Sequence, residues 1–218
     1  MDIEMEHIRL DKVSKEIKGV WVLKDIQLEF KGGVIYGLSG CNGSGKTMLM
    51  RMISGLIRPT EGTVYINDKI LHRDIDYPPE IGVLIETPNF WKNYSGKEAL
   101  RLLASIKKVI GEEEIKDTMI RVGLDEKDNR TIKKYSLGMR QKLGIAQAIM
   151  EKPTIILLDE PTNALDKESV ERIRTIIKEE ANRGAIVIIA SHNPMDLDVC
   201  DEIIELEGGR VIDEQKTA

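Results

Sequence analysis

Apolar residues in this chain follow two rhythms. Short unbroken runs, Val34-Ile35-Tyr36-Gly37-Leu38, Ile155-Ile156-Leu157-Leu158 and Ala185-Ile186-Val187-Ile188-Ile189-Ala190, carry no charge and predict strands buried on both faces, as in a parallel sheet. Elsewhere apolar positions recur at helical spacing: Leu143, Ala146, Ile149 and Met150 behind Ser136, and Val170, Ile173, Ile176 and Ile177 behind Asp166, both good N-caps. Helices are also expected over Lys97–Val109 and Glu112–Val122, so residues from about 88 to 150 read as a helical subdomain. Residues 1–80 read as strand-rich, with Gly62-Thr63-Val64-Tyr65-Ile66 the clearest run. The chain closes on Ile203–Leu206 and Arg210–Ile212 around Gly208-Gly209. Such alternation predicts an α/β fold, organised as one domain over residues 1–218.

One strand-to-helix junction is chemically distinctive. After Val34–Leu38 comes Gly40-Cys41-Asn42-Gly43-Ser44-Gly45-Lys46-Thr47, which fits G-x-x-x-x-G-K-[ST], and then the apolar run Met48-Leu49-Met50-Arg51-Met52-Ile53. Strand, loop and helix in that order are the context in which this pattern wraps a phosphate chain. Glycines let backbone N–H groups turn inward, and the helix N-terminus adds partial positive charge. Lys46 is placed to reach the β- and γ-phosphates and Thr47 to give its hydroxyl to Mg²⁺, so a nucleoside triphosphate site is expected. The run Ile155–Leu158 ends in Asp159 and Glu160. Ligands of open α/β sheets lie at the carboxyl ends of the strands, so Asp159 suits the Mg²⁺ shell and Glu160 can take a proton from an attacking water. That pair favours hydrolysis over binding alone.

Three further segments lie around this strand. Tyr135-Ser136-Leu137-Gly138-Met139-Arg140-Gln141 precedes it, Ser136 standing 23 positions before Asp159. Pro161-Thr162-Asn163-Ala164-Leu165-Asp166 follows Glu160 directly, and the next buried strand ends in Ser191-His192. In this order and spacing the motifs resemble those of the ATP-binding subunit of an ABC transporter, from about Ile8 to the end. The resemblance implies a P-loop NTPase (RecA-like) core with an antiparallel β subdomain and a helical subdomain. It also implies a mechanism that one chain cannot complete. Two nucleotide-binding domains, as a homodimer or as close paralogues, pack head to tail. Each ATP then lies between one subunit's phosphate loop, Gly40 to Thr47 with Met48, and the other subunit's Ser136 and Gly138. The resemblance further implies that His192 contacts the γ-phosphate and orients Glu160, and that Asp166 reaches across the interface. By position alone Asp166 is the N-cap of the following helix, and the two roles are compatible.

Departures from the common pattern refine the picture. Ile81–Pro88 aligns with the stretch where relatives usually carry a glutamine near Mg²⁺ and the attacking water; here the residue is Glu86. With Tyr135-Ser136-Leu137-Gly138-Met139, this resembles the branch that exports bacitracin or gives immunity to lantibiotics. The likeness implies a catalytic and metal-side role for Glu86 and a peptide antibiotic or bacteriocin as cargo. The aromatic residue that stacks on adenine in relatives aligns with Ile17, leaving Trp21 either as its substitute or as packing. Met48 replaces a frequent hydroxyl beside Thr47, and Ala164 a frequent glycine.

Composition narrows the partners. A net charge of −5, with no basic stripe interleaved with aromatics, argues against nucleic acid. No apolar stretch approaches the roughly 20 residues of a membrane helix, so the membrane part is expected in a separate permease. The polar, acidic N-terminus shows no secretory signal, and the expected location is cytoplasmic, on the inner face of the membrane through the permease. No regulatory domain is expected after Ile212. Cys41 and Cys200 make neither a disulfide framework nor a metal pattern. Phe90, Trp91 and Tyr94, three of nine aromatics, lie together after Glu86, either as core or as the docking surface for the permease. Two other classes stand beside the transport reading. A soluble ABC-type ATPase would usually carry coiled-coil insertions or tandem domains, which this chain lacks. A nucleotide-sensing interaction protein would differ by its weak turnover.

Overall fold

The computed structural model describes residues 6–216. In chain order the strands are β1 (His7–Ile17), β2 (Val20–Lys31), β3 (Ile35–Ser39), β4 (Glu61–Ile66), β5 (Lys69–Ile70), β6 (Ile81–Leu84), β7 (Ile155–Asp159), β8 (Ile186–Ala190), β9 (Glu202–Glu207) and β10 (Arg210–Lys216). The α-helices are α1 (Lys46–Ile53), α2 (Gly96–Lys107), α3 (Glu112–Arg121), α4 (Leu137–Ile149) and α5 (Lys167–Asn182). A six-stranded sheet in the order β10-β9-β3-β8-β7-β6 is parallel except for β10, which returns antiparallel to β9. A four-stranded antiparallel sheet runs β2-β1-β4-β5.

Every residue of β7 and β8 is buried, as their unbroken apolar runs predict for strands covered on both faces. Alternate side chains feed two cores. Ile156, Leu158, Val187 and Ile189 pack with apolar residues of α2, α3, α4 and α5. Ile155, Leu157, Ile186 and Ile188 pack with α1 and with Ile8, Leu10, Leu23 and Phe30 of the antiparallel sheet. The strand period of two thus turns one sheet into the shared wall of both cores.

Local chemistry sets the helix ends. Ser136 Oγ accepts from the Met139 N–H at 3.1 Å, and Asp166 Oδ1 accepts from the Ser169 N–H at 2.8 Å, so both expected N-caps are formed. Helix α2 stops at Lys107 rather than the expected Val109, because Lys108 takes left-handed dihedrals (φ 59°) that break the helical bond pattern. In the aromatic loop, Phe90 is a correction: it is buried in the core that includes α2 and α4 and offers no docking surface. Trp91 and Tyr94 remain exposed, 51% and 43%, with their rings edge to face at 6.3 Å. Among the described residues no helix is long and apolar enough to cross a membrane.

Candidate nucleotide-binding and hydrolysis site

The phosphate loop sits between the carboxyl end of β3 and the N-terminus of α1. Gly45, the N-cap of α1, has φ 112°, and a Cβ there would lie 2.9 Å from Leu23 Cδ2. A glycine is therefore required for the loop to turn against β2. No side chain caps α1, so its first N–H groups are left for an anion. The loop is braced from behind: the Gly209 N–H donates to Ser44 O (3.0 Å), and the Lys24 N–H donates to Gly209 O (2.8 Å). Lys46 is nearly buried, and its ammonium donates to the Gly40 and Cys41 carbonyls at 2.6 and 3.1 Å. Among the described residues it has no carboxylate within ion-pair distance. Ser44 Oγ is buried and has no hydrogen-bond partner among the described residues. A capless helix end, an unneutralised ammonium and an orphaned hydroxyl fit a phosphate chain.

These groups open onto a cleft of ≈ 500 Å³ lined by Val20, Trp21, Val22, Asn42 through Met48, Asp159, Glu160, Gly208 and Gly209. Asn42, Gly43, Ser44, Gly45, Lys46, Thr47 and Met48 therefore all face one space, together with Trp21 on the flank from β2. Gly40 and Cys41 line a neighbouring cavity with His192.

Thr47 and Asp159 meet directly: the Thr47 hydroxyl donates to Asp159 Oδ2 at 2.8 Å. Burial raises the Asp159 pKa above the ordinary carboxylate value; the Thr47 bond pulls it back, and the Glu160 charge pushes it further up. A desolvated carboxylate bonded to a hydroxyl is a fitting donor pair for a hard divalent cation, which takes oxygen ligands. Among the described residues no cluster of three acidic, histidine or cysteine side chains could hold a metal unaided. Oxygens of the phosphate chain itself would complete such a shell.

Glu160 is held through both its backbone and its carboxylate. Its backbone is left-handed (φ 49°), its N–H donates to Ala190 O at 2.8 Å, and its carbonyl accepts from Gln141 Nε2 at 2.9 Å. Its carboxylate accepts from Ser191 Oγ (3.1 Å) and from the His192 N–H (3.1 Å), and His192 Nδ1 lies 2.6 Å from the same oxygen. Since a carboxylate only accepts, that ring nitrogen carries the proton. The pairing of Glu160 with His192 is thus present within one chain.

Several expected residues lie elsewhere. Ser136, Gly138 and Asp166 do not line the cleft. Gly138 lies against the segment after β7, where a Cβ would come 2.8 Å from the Ala164 carbonyl. The Glu86 side chain pairs with Arg51 (Nη2 to Oε1, 2.6 Å), while Glu86, Asp159 and Glu160 all line a ≈ 380 Å³ cavity. Sequence reasoning missed the roles of Gln141, Ser191 and Arg51. For Gln141 a signal existed, since it is a polar residue in the otherwise apolar stripe Leu137, Gly144, Ile145 and Ala148 of α4.

The ABC transporter family model matches residues 23–163. An uncharacterised ABC transporter ATP-binding protein, YybJ of Bacillus subtilis (strain 168), is 45% identical over 96% of both chains. The bacitracin transport ATP-binding protein BcrA of Enterococcus faecalis is 34% identical over 95% of this chain and 68% of its own. The lantibiotic transport ATP-binding protein SrtF of Streptococcus pyogenes is 32% identical over 85% of this chain and 80% of its own. Among solved structures, the dimeric bacterial ABC transporter cassette MJ0796 superposes with a TM-score of 0.87 at 28% identity, covering 96% of this chain and 98% of that one. The same cassette in a post-hydrolysis state with ADP and Pi gives a TM-score of 0.85 over the same shares of each chain. With its phosphate loop, paired carboxylates and matching fold, this chain belongs to the ABC transporter family, as an ATP-binding subunit of the ATPase type.

Proposed function

We propose that this chain hydrolyses Mg-ATP as one half of a head-to-tail dimer and drives a separate membrane permease. One observation carries the reading: a single chain contains the phosphate loop, Thr47–Asp159 and Glu160–His192 together, yet leaves the Ser136 helix end outside its own cleft. That end is suited to close a second copy's site. Residues from Gly40 to Met48 bind the phosphates, and Trp21 supplies a flat apolar face for the base. Thr47 and Asp159 would hold Mg²⁺, with Glu86 on the same side; the ion would neutralise charge on the phosphates. Glu160 accepts the proton of the attacking water, and His192 fixes the direction of its carboxylate. Ser136 and Gly138 of a partner subunit cover the γ-phosphate and exclude water. Asp166, at the N-cap of α5, faces the interface.

The exposed Trp91–Tyr94 pair is the surface for the permease, which would hold the chain at the inner face of the membrane. Names among the relatives, bacitracin and lantibiotic transport, support a peptide antibiotic or bacteriocin as cargo. The fold is a single cassette, with residues of about 88–150 as its helical subdomain. The test mixes two defective chains. Ser136→Arg and Lys46→Ala chains are each expected to be inactive alone, while their mixture regains activity by forming one composite site with both halves intact. Substantial ATPase activity in either single variant, at concentrations that allow dimers, refutes the shared site.

A further inference from the structure

Glu86 stands at a fork. It lines the same ≈ 380 Å³ cavity as Asp159 and Glu160. Its carboxylate is held by Arg51, Nη2 to Oε1 at 2.6 Å. Arg51 lies in the last turn of α1, the helix that begins at Lys46 and Thr47. The Glu86 backbone is left-handed (φ 63°), which sets the direction of the side chain just past the end of β6. Asp159 and Glu160 already place two carboxylates at the end of β7, and a third turned inward would be repelled by both. An outward guanidinium gives the third one a partner. A glutamine at this position would carry no charge for either arrangement.

We propose that Arg51 is a positioning residue for Glu86: it keeps this carboxylate out of the Asp159 side of the site until a divalent cation there competes for it. The inference rests on the reading of Glu86 as a metal-side residue. The ion pair is partly solvated, with side chains 32% and 61% exposed, so the competition is shallow enough to be reversed in each cycle. It also ties the start of the aromatic loop to the helix of the phosphate loop.

The test measures equilibrium binding of a non-hydrolysable fluorescent ATP analogue as Mg²⁺ is titrated, with thermal melting to verify folding. Arg51→Gln is expected to lower the half-saturating Mg²⁺ concentration about two- to fivefold, the range open to an exposed ion pair. Arg51→Lys, which keeps the charge, should stay near the unmodified chain. Adding Arg51→Gln to Glu86→Gln should change nothing further. An equal shift in the Glu86→Gln background, no shift, or a higher Mg²⁺ requirement overturns the inference. If the unmodified chain binds no analogue, the reading of the whole site falls, and the inference with it.

Discussion

Gln141 offers the sharpest test of how Glu160, the proposed general base, is held. Its Nε2 donates to the Glu160 carbonyl at 2.9 Å, joining α4 to a residue in the left-handed region. Such a backbone costs roughly 1–2 kcal/mol for a residue with a Cβ, so it persists only while its polar groups are tied. Gln141→Leu keeps the size of the side chain but removes the donor. The lost bond and the unsatisfied carbonyl together should cost about 1–3 kcal/mol, read as a lower midpoint in urea unfolding. Freed of that restraint, Glu160 would drift from its place beside Ser191 and His192. A displacement of about 1 Å at a reacting group can cost 10²-fold, so kcat should fall at least tenfold. Because Gln141 does not line the nucleotide cleft, ATP affinity should stay close to the unmodified value. Glu160→Gln, which removes the proposed base, sets the floor. Unchanged kcat in a folded Gln141→Leu chain refutes the argument, as does a loss of ATP affinity in step with the loss of rate.

Phe90→Ala should destabilise the isolated chain by about 3–5 kcal/mol in denaturant unfolding, as for a buried aromatic, whereas Trp91→Ala should leave isolated ATPase activity intact and weaken only assembly with a permease. Arg101, then Lys97, holds the Glu112 pKa down to about 2, joining α2 to α3. A depressed carboxylate stabilises above its unfolded pKa and loses that contribution as pH falls towards 2; Glu112→Gln should therefore cost under about 1 kcal/mol at pH 7 and almost nothing near pH 2. Burial pushes the Cys200 thiol up to about 12, while Cys41 is exposed in the phosphate loop. A thiol reagent at neutral pH should label Cys41 alone, with ATP slowing the reaction; mass spectrometry showing modified Cys200 in the folded chain contradicts this.

What the sequence made legible was local. The phosphate loop, the strand ending in Asp159-Glu160 and the N-caps Ser136 and Asp166 are each written within a few consecutive residues, where spacing and residue type suffice. The unread parts depend on distant partners. Arg51 and Glu86 meet across 35 positions and Gln141 and Glu160 across 19, through the packing of helices on the sheet. Phe90 and Trp91 are neighbours with opposite fates, and an irregular loop has no period from which to tell them apart. The long strands β1 and β2 were visible only as a strand-rich region. Their register shifts between Leu10 and Glu16, and the shift breaks the alternation that would mark one face.

The unbroken apolar runs of β7 and β8 also bear on life before folding. Ile155-Ile156-Leu157-Leu158 and Ile186-Val187-Ile188-Ile189 are short, uncharged and free of proline, the composition that stacks into cross-β aggregates when exposed. The first is fenced by residues that oppose stacking: Glu151, Lys152 and Pro153 precede β7, and Asp159 and Glu160 stand at its end. Asp159 and Glu160 therefore stand where gatekeeper charges stand, at the end of an apolar run. Glu160→Gln removes one of the three carboxylates, Glu151, Asp159 and Glu160, from that fence. Its cost should appear first as a lower soluble yield, before any ATP is added.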